Sequence, residues 1–211
     1  MKYSGNSQAA DNSPTFRMQH NEHHCATSIA SHLTAIFRLV PIYQEIVFVC
    51  IGTDRSTGDS LGPLIGSQLH KYNLSDIRLY GSLDQPVHAM NLEETIKEIR
   101  DTHYNPYVVG IDACLGQTNS VGIIQICNGP LKPGAGVKKE LPSIGDIHIT
   151  GIVNVGGFME YFVLQNTRLS LVMNMAEVIA KGIYISLLQT KRLSLIMSGE
   201  EKTVSFQRLE Q

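Results

Sequence analysis

The sequence lacks the features that mark membrane proteins, metal-finger proteins and nucleic-acid-binding proteins. Its four cysteines form no CxxC pair, which excludes the common zinc-finger and thioredoxin-type spacings. A net charge of -2 gives no electrostatic basis for binding nucleic acid or an anionic membrane. No basic segment with a following apolar run opens the chain, and no apolar run reaches the length of a membrane span. Tryptophan is absent, but this excludes no function. We expect a protein of the reducing cytoplasm.

The length of 211 residues and the apolar content of 43% predict a single domain with a sizeable core. Residues 1–25 are polar and aperiodic, which predicts a disordered N-terminal segment. The domain is expected to occupy residues 26–190, and its first element is a helix over 27–40, where apolar residues recur at helical spacing. Residues 191–211 are left as a C-terminal tail.

Strands and helices alternate along the domain. Apolar or alternating runs predict five strands, at residues 45–51, 77–83, 107–111, 121–127 and 147–153. Helical patterns are present over residues 64–72, 91–100, 158–165 and 169–188. This order is typical of an α/β three-layer sandwich, with a mostly parallel sheet and helices on both faces. The short turn between the third and fourth strands predicts one antiparallel pair, so the sheet should be mixed.

A polar, glycine-rich loop, GTDRSTGDSLGP (52–63), follows the first predicted strand. It lies at the carboxyl end of that strand, where ligands bind in open α/β sheets. Asp54 and Asp59 are its carboxylates, and Gly58 allows a tight turn. Asp59 and Ser60 are also ordinary N-cap residues for the next helix, so the loop alone does not distinguish a cap from a functional site.

A second carboxylate, Asp112 in the motif GIDAC, ends the third predicted strand. If the two strands are neighbours, Asp59 and Asp112 share a cleft, and one of them holds a proton near neutral pH. Such a pair supplies an acid and a base for hydrolysis, or oxygen ligands for a divalent metal. The alternative is that Asp112 only caps the loop that follows it.

The long loop 128–142 is rich in proline and glycine, and a loop of this length in a compact domain is usually functional or disordered. We expect it to cover the cleft or to hold a peptide. The residues predicted to bind substrate, in addition to the two aspartates, are Asp54, Gly58, Ser60, Lys138, Lys139 and Asn154.

The order of GTDRSTGDSLGP, GIDAC, GPLKPGAGV (129–137) and KEL (139–141) resembles the spore germination protease family. It is still more similar to the short sporulation proteins of the YyaC-like family, and both are related to hydrogenase-maturation endopeptidases. The resemblance covers about residues 47–188 and implies a phosphorylase/hydrolase-like fold. It also implies an atypical aspartic endopeptidase in which Asp59 and Asp112 are catalytic. Its substrate would be a protein or peptide of the forespore or spore interior.

Several points stay open in this resemblance. The maturation enzymes bind a metal near the two carboxylates with a histidine as third ligand, and His148 is the nearest candidate by order. The segment before Glu45 could be an inhibitory pro-segment, because the germination protease is made as a zymogen. The alternative function is a non-catalytic protein that uses the cleft to hold a peptide or a metal. A homo-oligomer is also compatible with the sequence.

Overall fold

The apolar runs and helical stripes of the sequence form a mixed sheet covered by helices. The computed structural model describes residues 14–72, 78–134 and 141–192. The strands within these residues are β1 (Pro14–Gln19), β2 (Ile46–Cys50), β3 (Arg78–Tyr80), β4 (Tyr107–Gly116), β5 (Ile123–Asn128) and β6 (Ile147–Val155). The helices are α1 (Cys25–Leu39), α2 (Leu61–Lys71), α3 (Leu92–Thr102), α4 (Glu160–Gln165) and α5 (Leu169–Gln189).

The strand order in the sheet is β1-β5-β6-β4-β2-β3. The four strands β3, β2, β4 and β6 run parallel to one another, whereas β5 is antiparallel to β6 and β1 is antiparallel to β5. The predicted α/β class and mixed sheet are confirmed. The predicted count of five strands is wrong, because β1 adds a sixth. The predicted antiparallel pair is also wrong, since β6 lies between β4 and β5 and pairs with both.

The two faces of the sheet are buried under different layers. Along β2 the side chains alternate: Ile46, Phe48 and Cys50 belong to one apolar cluster, whereas Val47 and Val49 belong to the other. The first cluster also contains the buried faces of α1, α2 and α5, and the second contains that of α3. Because successive side chains of a strand point to opposite faces, a strand that is apolar throughout has to be covered on both sides, as predicted.

The N-terminal segment is part of the fold from Pro14 onward, so the predicted disorder of residues 1–25 is wrong for residues 14–25. The β1 strand pairs with β5, and Phe16 and Met18 pack against the main core. The α1 helix then packs against α5, and its residues Ile29 and Leu33 are fully buried. From Pro14 onward, the segment for which an inhibitory role was left open thus packs on the main core, and that role stays a prediction. Residues 1–13 lie outside the described residues.

The C-terminal helix α5 is long and apolar enough to span a membrane by length and composition, although half of its most apolar stretch is buried within the fold. That buried face packs on α1 and α2, so the structure is consistent with a soluble protein. Beyond α5, the Arg192 guanidinium donates hydrogen bonds to the carbonyls of Gln44, Val40 and Pro41, just after the end of α1. The first part of the predicted tail therefore anchors the end of α1. Residues 193–211 lie outside the described residues.

A small polar cluster ties β3 to the start of β2. Glu45 accepts a hydrogen bond from Arg78 at 2.9 Å and lies 2.7 Å from Nδ1 of the buried His103. The Nε2 of His103 is in turn 3.0 Å from the Tyr80 hydroxyl. The hydrogen bond to His103, and then that from Arg78, lower the pKa of Glu45. The ionised form of Glu45 is therefore favoured in the folded protein.

We predict that Glu45→Gln lowers the melting temperature at pH 6 and that its effect disappears at pH 3. A carboxyl with a lowered pKa stabilises the fold above its unfolded pKa, and this contribution is lost as the pH falls through the folded pKa. Glu45 is partly exposed, so we expect an effect on the order of 1 kcal/mol or less. Thermal unfolding at both pH values would test this, with the exposed Glu177→Gln as control. An effect that is the same at pH 6 and pH 3 would contradict it.

Candidate catalytic site

The loop after β2 closes on itself and brings Asp59 back to the end of that strand. Gly52 has a φ of +139°, and a Cβ atom there would lie 1.9 Å from the carbonyl oxygen of Asp59. The same carbonyl accepts a hydrogen bond from the Thr53 N–H at 3.1 Å. Asp59 lies in a short 3₁₀ turn (Gly58–Ser60) that leads directly into α2. The carboxylate is thereby fixed between the end of β2 and the start of α2.

Asp112 lies inside β4, so the prediction that it ends the strand is wrong. The last residue of β2, Cys50, pairs with Ile111, whereas β4 continues to Gly116. Asp112 is therefore the first residue of β4 beyond the end of β2. Its side chain is 7% exposed, and its Oδ1 accepts a hydrogen bond from the N–H of Ala113 at 2.8 Å. This position buries the carboxyl group next to the loop that carries Asp59.

The two carboxylates line the same cavity, which has a volume of about 290 Å³. The other polar or ionisable residues that line it are Thr53, Arg55, Ser56, His88, Cys114 and Tyr161. The apolar residues of its wall are Ile51, Ala89, Met90, Ala113, Leu115, Pro133, Leu141 and Leu164. The loop predicted to cover the cleft thus reaches the cavity on both sides of residues 135–140, which lie outside the described residues. The predicted meeting of Asp59 and Asp112 in one cleft agrees with this geometry.

Burial sets the protonation of the pair. Burial, and then the negative charge of Asp59, raise the pKa of Asp112 well above its ordinary range. Burial also raises the pKa of Asp59, but a backbone hydrogen bond from Thr53 and the nearby His88 oppose the rise. Among the described residues, neither carboxylate forms a salt bridge with a cation. Asp112 is therefore the member of the pair that holds a proton more strongly.

Four of the residues predicted to bind substrate lie outside the cavity wall or outside the described residues. Asp54 is exposed and does not line the cavity. The hydroxyl of Ser60 donates to the carbonyl of Thr57 at 2.6 Å, within the loop itself. Lys138 and Lys139 lie outside the described residues. The structure therefore gives Asp54 and Ser60 no contact with the cavity.

Gly58 and Asn154, which were also predicted to bind substrate, instead support α4. A Cβ atom at Gly58 would lie 2.8 Å from a methyl carbon of Leu164, so only glycine lets the helix approach this closely. The Asn154 amide donates to the Val163 carbonyl at 3.3 Å and to the Thr167 hydroxyl at 3.2 Å. Since Leu164 lines the cavity, both residues act on the site through the position of α4.

The metal candidate His148 lies away from the carboxylate pair. It precedes by two residues Thr150, the β6 partner of Asp112, a distance of roughly 7 Å along a strand. Its Nδ1 is 2.9 Å from the carbonyl oxygen of Gly129, and it does not line the cavity. Within the described ranges, no three His, Cys, Asp or Glu side chains form a group that could hold a metal ion. The described residues thus do not fit the three-ligand metal site that the resemblance implied.

The comparisons with known proteins agree with the family recognised from the motifs. A family model described as a protein of unknown function (DUF1256) matches residues 17–182. The chain belongs to this family. It is 62% identical, over 143 residues, to the uncharacterized protein YyaC of Bacillus subtilis (strain 168), an alignment that covers 68% of this chain and 70% of the relative. The resemblance to YyaC-like proteins is confirmed, whereas the link to proteases stays a prediction.

Sequence reasoning missed His88, which lines the cavity together with Asp59. His88 follows Val87, which forms a single parallel bridge with Ile51 and accepts a hydrogen bond from the N–H of Gly52 at 2.8 Å. One bridged pair leaves no periodic pattern in a sequence. The signal in the sequence was limited to a histidine that directly follows the apolar residue Val87. Tyr161 was missed because the helical pattern over 158–165 does not indicate which of its apolar residues lines the cavity.

We predict that Asp112→Asn stabilises the protein at pH 8 and not at pH 3. A carboxyl whose pKa is raised by folding costs stability above its unfolded pKa, and the cost grows until the pH passes the folded pKa. Below pH 3 the carboxyl is protonated in both the folded and the unfolded protein, so its replacement by an amide does not increase the free energy of unfolding. At pH 8 we expect a melting temperature higher by at least about 2–4 °C, which corresponds to 1 kcal/mol in a chain of this size.

Thermal unfolding of the wild type and of Asp112→Asn at the two pH values would measure this difference. The matched control is Asp54→Asn, because Asp54 is exposed on the same loop that carries Asp59. If Asp112→Asn is less stable than the wild type at pH 8, the prediction that burial of the ionised Asp112 carboxyl destabilises the fold is wrong.

Proposed function

We propose that this protein is an endopeptidase that hydrolyses a peptide bond with the carboxyl pair Asp59 and Asp112. The observation that carries the proposal is that both side chains line one largely apolar cavity and that neither is neutralised by a cation among the described residues. A carboxylate pair with no structural ion partner is costly to the fold. Perturbed pairs of this kind are concentrated at functional sites.

The different surroundings of the two groups assign their roles. Burial raises the pKa of the partly exposed Asp59, but Thr53 and His88 oppose the rise, so Asp59 is the more readily ionised of the two and is the base that takes a proton from water. The resulting hydroxide attacks the carbonyl carbon, while the more strongly protonated Asp112 donates its proton to the carbonyl oxygen. When the C–N bond breaks, Asp59 returns its proton to the leaving amine, and one hydroxyl of the tetrahedral intermediate returns a proton to Asp112, so that the carboxylic acid product is formed and the pair is restored.

The proton on Asp112 is the best source of stabilisation for the developing oxyanion. Backbone N–H groups of glycine-rich loops are another common source of such stabilisation. However, the N–H of Gly52 already donates to the carbonyl of Val87, and that of Thr53 donates to the carbonyl of Asp59. Since these donors are engaged within the fold, Asp112 performs this part of the reaction.

The surface beside the cavity supports a protein substrate. Met90, Phe158 and Phe162 are exposed by 85%, 88% and 55%. Met90 lines the cavity, and Phe158 and Phe162 flank Tyr161, which also lines it. Exposed apolar side chains that cluster at a cavity mouth are typical of protein-binding surfaces. The placement of this substrate in the cytoplasm of a sporulating or germinating cell rests on the resemblance to the germination protease family.

We predict that Asp59→Asn and Asp112→Asn each reduce cleavage by at least about 100-fold, because each removes one proton-transfer group. The test substrate is soluble protein extracted from sporulating Bacillus subtilis cells, and mass spectrometry counts the new N-termini formed during incubation. Asp54→Asn is the control and should cleave like the wild type. Cleavage that survives both substitutions would refute the roles of the pair. If the folded wild type produces no new N-termini, the non-catalytic binding protein becomes the better account.

We also predict a bell-shaped dependence of the cleavage rate on pH. The rate should fall on the acid side as Asp59 becomes protonated, and on the alkaline side as Asp112 loses its proton. Because burial raises the pKa of both groups, the maximum should lie closer to neutrality than the ordinary carboxyl range of about 4. The rate of formation of one identified cleavage product between pH 3 and pH 9 would show this. A rate that keeps increasing up to pH 9 would exclude Asp112 as the acid.

A further inference from the structure

The cavity is large enough to hold one large apolar side chain. An apolar cavity of about 150 Å³ can hold a benzene molecule, and this cavity is about 290 Å³. Burial raises the pKa of the Cys114 thiol to about 11, so this thiol is neutral and adds to the apolar wall. Ala89 and Leu115 lie on the wall together with Leu164 from α4. Arg55, His88 and the two aspartates line the same cavity, so the apolar wall is the part formed by the residues above. A charged side chain would lose its hydration against that part.

One hydroxyl in the cavity wall lacks a partner. Ser56 is 7% exposed and lines the cavity, and its buried Oγ has no hydrogen-bond partner among the described residues. Ser120, which is equally buried and lies outside the cavity, accepts a hydrogen bond from Arg17 at 2.9 Å. A buried polar group without a partner is costly. A serine that bears this cost beside a cavity is suited to a hydrogen bond with a bound molecule.

We propose that the cavity binds one large apolar side chain of the substrate, and that the Ser56 hydroxyl hydrogen-bonds the adjoining peptide group. This inference rests on the proposed endopeptidase function and specifies its substrate class. An apolar side chain gains by leaving water for the wall, whereas the peptide group beside it needs a partner to be buried without cost. The lining of the cavity offers both. Ser56 is a binding residue in this proposal and takes no part in proton transfer.

The first experiment measures binding without cleavage, in the full-length Asp112→Asn variant. The probes are acetylated and amidated tripeptides with glycine at both ends and Phe, Ala, Asp or Lys in the centre, titrated to 10 mM by NMR. We expect the Phe peptide to bind at least about tenfold more tightly than the Ala peptide, and the charged peptides to bind most weakly. Equal binding of the four peptides, or binding of none of them, would overturn the proposal.

The second experiment introduces Ser56→Ala into the same variant. Affinity for the Phe peptide should fall about five- to tenfold, as expected for one lost hydrogen bond, whereas the melting temperature should be unchanged or higher. The control is Ser120→Ala, which should lower the melting temperature and leave affinity unchanged. If Ser56→Ala lowers the melting temperature and leaves affinity intact, the hydroxyl is structural and the proposal fails.

A third variant tests the apolar subsite. Ala89→Leu places extra carbon atoms in the cavity wall and should weaken binding of the Phe peptide about tenfold or more, while binding of the Ala peptide changes little. The control is Ala35→Leu, at an exposed position on α1, which should leave both affinities unchanged. Equal effects of the two substitutions, or unchanged affinities in both, would show that the side chain does not enter this cavity.

These measurements separate the subsite from the catalytic proposal. If the Phe peptide binds as expected and the wild type cleaves nothing, the subsite stands and the endopeptidase proposal falls. If the wild type cleaves proteins without any preference for apolar residues at the scissile bond, the endopeptidase proposal stands and the subsite falls.

Discussion

The site depends on one contact of the backbone with itself, between Gly52 and Asp59. No side chain fits at Gly52, because its Cβ would overlap the carbonyl oxygen of Asp59 and its φ lies in the range that favours glycine. This contact makes the loop after β2 turn back within eight residues. It also fixes the point at which α2 begins, and the buried residues Leu61 and Ile65 of that helix then pack into the core. The position of one carboxylate is thus a consequence of how the chain leaves the sheet.

The second carboxylate owes its burial to the unequal lengths of neighbouring strands. If β4 ended level with β2, Asp112 would lie in the solvated edge of the sheet like an ordinary loop residue. Because β4 continues to Gly116 and pairs there with β6, Asp112 lies between β6 and the loop that holds Asp59. Ionisation of this buried carboxyl therefore lowers the free energy of unfolding. No hydrogen bond of the core requires an acid at this position, yet the fold bears the free-energy cost of burying one. A cost of this kind is typical of functional sites.

Much of the fold and the central pair of the site could be predicted from the sequence, because both depend on local patterns. The apolar runs of β2 and β6, the helical stripe of α5 and the motifs that carry Asp59 and Asp112 all have short-range signatures. The features that were missed depend on distant pairing. The polar, mostly exposed β1 is a strand only because β5 lies beside it, and β4 and β5 are separated by a strand that comes later in the chain. His88 lines the cavity because the preceding residue, Val87, forms a single β-bridge with Ile51. Asn154 donates a hydrogen bond to the Val163 carbonyl in α4, and no spacing in the sequence indicates this contact.

On the proposed function, the apolar wall serves substrate binding and catalysis at once. The surroundings that would favour an apolar side chain also remove water from Asp112, and that removal is the main cause of its raised pKa. Asp59, which is less buried and has His88 nearby, retains a more ordinary acidity. A bound substrate would exclude the remaining water from the cavity, so that the proton transfers between the two carboxyls and the substrate take place away from solvent. Specificity and proton transfer would then depend on the same side chains, so a change that opens the wall to water should weaken both together.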